Sequence, residues 1–114
     1  MTARSHSSTE SERVLIARVW HGATAAARGD AYAAYLETTG VQDCRATPGN
    51  RGVQVLRRSV GDEAHFLFIS FWESMDAIRA FAGADVERAR YYPEDRTYLL
   101  ELEPKVTHYE VLKR

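Results

Sequence analysis

A chain of 114 residues, 45% hydrophobic and 27% charged, has the length and balance of one globular domain able to bury a core without staples. Its 15 Lys and Arg stand against 16 Asp and Glu for a net charge of −1, which leaves no basic face for nucleic acid. No apolar run approaches the ~18 residues of a membrane span, and a single cysteine, Cys44, forbids an internal disulfide and fits a reducing cytoplasm.

In chain order, residues 1–12, "MTARSHSSTESE", are polar and lack the apolar stretch of a signal peptide. They read as a flexible tail that includes His6, which leaves residues 13–114 as the domain. "RVLIARVWH" (13–21) is a strand. Thr24 caps a helix to about Thr39, with Tyr32, Tyr35, Leu36 and Thr39 at helical spacing and Gly40 as its stop. Gly29 weakens the first turns, so Asp30 is a second candidate cap. Residues 42–52 read as a loop around a type II turn at Pro48-Gly49, and Cys44 is a free thiol within it. Strands at 52–59 and 64–73 flank Gly61-Asp62 and form a hairpin. Arg57-Arg58, the one basic doublet inside the domain, suits an exposed strand edge.

Ser74 caps the next helix, whose buried stripe is Met75, Ile78, Phe81 and Ala82, and Gly83 ends it. Asp85 starts one or two further turns over 85–92. "PEDRTYLLE" is open between an irregular turn and a short helix. Pro104 precedes a last strand, 105–113. The third strand, "AHFLFISFWE", has almost no polar face. Burying each large side chain contributes about 1.5–3 kcal/mol, so both of its faces are expected to be covered. The order β-α-β-β-α-β is the ferredoxin-like split βαβ pattern of an α+β fold: four antiparallel strands with two main helices on one face. A second copy, sheet against sheet, is the economical cover for the other face.

Five segments, "RVWHG", "ATPGNRGVQVLRR", "FISFWESMDAIRAFAG", "YYPED" and "VTHYEV", together resemble the antibiotic-biosynthesis-monooxygenase-like family of dimeric α+β barrels. The resemblance covers roughly residues 13–112, and its most specific piece is the strand-to-helix junction "FWESMDAIRAFAG". It implies a homodimer whose two sheets form a barrel, each subunit with an apolar pocket between sheet and helices. It also implies a cofactor-independent monooxygenase-like activity on an aromatic, polyketide-type small molecule of secondary metabolism. In that chemistry no cofactor is needed, because a phenolic substrate supplies the electrons to O2. Related chemistries on this fold keep two alternatives open: a polyketide cyclase, or a dimer of stress type that only binds a small ligand. The haem-degrading branch carries an Asn on the first strand, a Trp late in the second helix and a His beyond it. Here the Trp position falls on Phe81, the His position falls near Tyr91, and the first strand has no Asn. All three departures point away from haem.

Seven residues are of interest. His108 has an ordinary pKa of about 6.5, so it can accept a proton near pH 7; it is a candidate base if it faces the helices and structural if it faces a partner subunit. Tyr91 can donate to a developing oxyanion, and Tyr92 beside it suits a flap over the pocket. Trp72 reads as core or pocket wall, since an indole can only donate. His21 is a candidate for the pocket mouth. His21 and His65 are expected at opposite ends of the sheet, and no metal-ligand spacing occurs. Arg18 sits among apolar neighbours, where it calls for an ion pair with an Asp or Glu across the dimer or an anionic substrate.

Overall fold

The computed structural model describes residues 14–114; the expected tail over residues 1–12, with His6, lies outside the described residues. Four strands, β1 (Ile16–Ala25), β2 (Asn50–Val60), β3 (Glu63–Trp72) and β4 (Thr107–Glu110), form one sheet in the order β2-β3-β1-β4. All three neighbouring pairs are antiparallel. β3 therefore lies between β1 and β2, and β1 between β3 and β4, which is the ferredoxin-like split arrangement. The tight link from β2 to β3 has Gly61 at φ 60° in the first of two central positions. Only glycine adopts that geometry without strain, and it matches the twist of the paired strands.

Period-2 alternation splits the sheet into two faces. Arg18, Trp20 and Thr24 of β1 and Phe66, Phe68, Ser70 and Trp72 of β3 are buried on the helix side. His21, Leu67, Ile69 and Phe71 point the other way and keep partial exposure. Leu67 is 39% exposed and Leu56 on β2 47%, so the single chain covers one face of β3 and not both.

The helices are α1 (Gly29–Leu36), α2 (Gln42–Ala46), α3 (Met75–Ala82) and α4 (Asp95–Tyr98). Ser74 caps α3 as its sequence predicts, its Oγ accepting from the Ala77 N–H at 3.1 Å. Ile78 is fully buried, and Met75, Phe81 and Ala82 pack beside it on the core. The core joins Trp72, Tyr32, Phe66 and Ile78. Tyr32 meets Phe66 edge to face at 5.4 Å, a favoured aromatic geometry.

Four expectations need correction. Thr24 is a buried residue inside β1, which runs on to Ala25. Gly40 does not stop the first helix: a π turn (Glu37–Val41) carries the chain into α2, so 42–46 is helix and Cys44 is buried in it. The missing side chain at Gly40 serves packing instead, for a Cβ there would lie 3.0 Å from the Phe68 ring. Residues 85–92 are not helical: Arg88 bridges to Lys105, Ala89 N–H bonds Pro104 O at 2.9 Å and Val106 N–H bonds Glu87 O at 2.8 Å. That pairing satisfies backbone groups a helix would have used, and β4 proper begins only at Thr107.

Candidate active-site cavity

A cavity of about 50 Å³ lies between the helix side of the sheet and the helical layer. Its aromatic wall is Trp20, Tyr32, Phe68, Phe81, Tyr91 and Tyr92, with Leu36, Gly40 and Val106 between them and Arg18, Ser70, Arg90 and Asp95 as polar members. Arg90 is the exposed member, and Phe81, Tyr91 and Tyr92 are half-buried, so the cavity opens on their side.

β1 supplies Trp20 and Arg18, and the strand period places both on the same face. The Trp20 indole donates to the Tyr91 hydroxyl at 3.0 Å, and that hydroxyl donates in turn to the Glu103 carbonyl at 2.5 Å. Burial raises the Tyr91 pKa, so the group stays protonated. Tyr92 donates to Asp43 Oδ2 at 2.7 Å, and burial, followed by that bond, raises it as well. Asp95, at the start of α4, accepts from the Tyr32 hydroxyl at 2.9 Å through Oδ1 and from the Tyr92 N–H at 2.5 Å through Oδ2. Burial pushes its pKa up, and those two bonds work against the rise.

Arg18 is 4% exposed. Its Nη1 donates to the Val86 carbonyl and its Nη2 to the Arg88 carbonyl at 2.9 Å. The guanidinium carbon lies 5.9 Å from the Phe81 ring centroid. No Asp or Glu among the described residues pairs with Arg18 within the single chain. Arg18 faces the helices, and the ion pairs among the described residues join other groups.

His108 stands opposite Arg18 in the β1–β4 register and shares its face. It therefore takes the helix side, with Nε2 3.3 Å from Arg18 Nη1. Burial, and then the Arg18 charge, lower its pKa. A neutral imidazole can accept that bond, so His108 holds the guanidinium from behind and is not one of the cavity's lining residues. Trp72 also stands behind the wall. It is fully buried, its indole donates to Ser70 Oγ at 2.8 Å, and its ring lies 5.6 Å from Phe81.

His21 lies on the opposite face of the sheet, away from the cavity. Its Nδ1 is 2.6 Å from Glu103 and its Nε2 2.9 Å from His65 Nδ1, while His65 Nε2 is 2.9 Å from Glu63. The two histidines are thus adjacent and not at opposite ends. Antiparallel pairing brings the end of β1 beside the start of β3, with Ala23 opposite His65. No group of three or more metal-ligating side chains occurs among the described residues. Sequence reasoning singled out Arg18, Phe81, Tyr91 and Tyr92 of the lining and missed Phe68, Ser70, Arg90 and Asp95. The even positions of β3 could have found the first two. Asp95 and Arg90 sit in charged segments that look solvated.

Fold and cavity define a ferredoxin-like α+β domain with an aromatic recess between sheet and helices. The antibiotic biosynthesis monooxygenase family model matches residues 22–89, more than half of the chain, and the chain belongs to that family. Among solved structures it is similar to a Bacillus cereus protein bearing the same family name, at 14% identity and a TM-score of 0.57 over 89% of this chain and 96% of that one. It is also similar to the haem degrader MhuD of Mycobacterium tuberculosis, solved with two haems in its active site, at 21% identity and 0.56 over 87% and 97%. A third is a Streptomyces coelicolor monooxygenase in complex with nanaomycin D, at 16% and 0.56 over 93% and 94%. At these identities the likeness is one of fold. No curated protein matches the chain, and no helix among the described residues is long and apolar enough to cross a membrane.

Proposed function

We propose that this chain is a cofactor-independent monooxygenase-like enzyme acting on an aromatic, polyketide-type small molecule, and that it works as a homodimer. The observation that carries the reading is the half-open aromatic cavity on the helix side of the sheet, in a member of this family. Such a reaction needs a phenol to lose its proton, the anion to be held, and water to be kept away. The substrate then gives electrons to O2; one oxygen atom enters its ring and the other leaves as water with the displaced hydrogens. Tyr91 stays protonated and can exchange its bond to the Glu103 carbonyl for one to a substrate oxygen. His108 is neutral, but its Nε2 faces Arg18, so it acts as a base only when substrate draws the guanidinium away. The open sheet face, with Leu67 and Leu56 exposed, supports the second copy.

Oxygen uptake in metal-free buffer without flavin, with a hydroxyanthracenone as substrate, tests the activity. Quinone formation is expected, and Tyr91→Phe and His108→Ala should each lower kcat by about tenfold or more. Unchanged turnover in both variants rejects their roles. Conversion that proceeds equally well without oxygen marks a cyclase instead. Light scattering at micromolar concentration should give a dimer mass; a monomer mass rejects the homodimer.

A further inference from the structure

Arg18 brings a permanent charge to the cavity wall, and nothing among the described residues balances it. Two backbone carbonyls and a neutral imidazole take up its Nη1 and Nη2, but these supply partial charges and no full negative one. The second cation on the wall, Arg90, is matched by Asp43 at 3.3 Å. The one carboxylate on the wall, Asp95, has both oxygens engaged by Tyr32 and Tyr92. A cation buried without a partner is unfavourable, and here it faces empty space beside the Phe81 ring.

We infer that the cavity takes the carboxylate group of a small aromatic acid and that Arg18 is the anchor that selects it. The inference rests on the cavity being the ligand site and names the class of ligand. A phenol, with an ordinary pKa near 10, arrives uncharged at pH 7 and balances Arg18 only after it has lost its proton. A carboxylate is ionised throughout that range, and a guanidinium binds it in plane through charge-assisted bonds. Size agrees. A dry cavity of about 150 Å³ accommodates benzene, so the 50 Å³ here has room for a carboxylate head and not for a ring. The ring then lies at the opening, beside Phe81 and the Arg90 guanidinium, which sits 4.8 Å from the Phe81 centroid and can stack on a second aromatic ring as well.

Benzoate and its neutral isostere benzamide separate the possibilities, read by calorimetric titration and by the fluorescence of Trp20 on the wall. The wild-type protein should bind benzoate at least about tenfold more tightly than benzamide. Arg18→Met should erase that preference, Arg18→Lys should keep part of it, and Arg90→Gln should keep most. Equal affinities in the wild type overturn the inference and leave the cavity reading standing. A benzoate preference that survives Arg18→Met, with the fold checked by circular dichroism, overturns the role of Arg18. If Arg18→Met does not fold, the wild-type contrast and Arg18→Lys decide. Binding of neither probe removes the ligand site and this inference with it. Benzoate binding without oxygen uptake on any aromatic substrate would keep the anchor and remove the monooxygenase reading.

Discussion

The two faces of one sheet are finished differently. On the helix side, α1, α2 and α3 close over Phe66, Phe68 and Trp72, and no buried side-chain polar atom among the described residues lacks a partner. On the other side, the same β3 strand presents Leu67, Ile69 and Phe71 to open space beside a row of His and Glu side chains. Both faces are built from neighbouring positions of one apolar run, so composition does not distinguish them. What differs is whether the chain's own helices arrive. A face completed within the chain can hold a shaped cavity with oriented donors; a face left open offers apolar area to a partner.

Adjacent residues of β3 put the largest numbers on this contrast. Phe66 is 1% exposed and meets Tyr32, whereas Leu67 is 39% exposed. Phe66→Ala is expected to cost about 3–5 kcal/mol of stability in urea denaturation. Leu67→Ala should cost far less within one subunit, and its effect should appear as weaker association in light scattering at falling concentration. Similar losses at both positions, with association unchanged, would mean that the open face is no interface.

A smaller effect tests the polar side of the cavity. Tyr32→Phe removes the donor to Asp95 Oδ1 and should cost about 1–3 kcal/mol, the usual result of stranding a buried acceptor. The pH dependence has a definite sign. Burial raises the Asp95 pKa in the folded state, so the folded protein holds the proton where the unfolded chain has lost it. Stability then falls as pH rises from the ordinary carboxylate value through the raised one. Losing Tyr32 removes a bond that favours the carboxylate, which widens that window. A stability profile identical to wild type from pH 4 to neutrality would show that Asp95 does not depend on Tyr32.

The elements legible in the sequence were those with local causes. The apolar run of β3, the Gly61-Asp62 turn and the Ser74 cap each act over a few residues, and together they give the ferredoxin-like order. The parts that were not legible have distant causes. Gly40 looks like a helix stop, but Phe68 on another element needs its missing side chain. Residues 85–92 are patterned well enough for a helix, yet Pro104, Lys105 and Val106 claim their backbone groups. The site divides the same way. Strand alternation around Arg18 and Trp20 marks the inner face from sequence, whereas the burial of Asp95 depends on Tyr32 reaching it from α1. The side taken by His108 depends on register with β1, where it falls opposite Arg18.

That placement gives the smallest predicted effect and the sharpest contrast between the faces. The folded state lowers the His108 pKa through burial and the Arg18 charge. As pH falls through the ordinary imidazole range, the unfolded chain takes up its proton first, so this residue's contribution to stability is full above about pH 6.5 and declines below it. The decline levels off once the folded-state value is passed. His108→Gln should flatten that part of the stability profile while leaving Arg18 a hydrogen-bond acceptor. Replacing Glu103 by Gln on the other face touches a pair whose side chains are both more than one-third exposed, and should shift stability by no more than about 1 kcal/mol. If the acid slope survives His108→Gln unchanged, the buried imidazole is not its source.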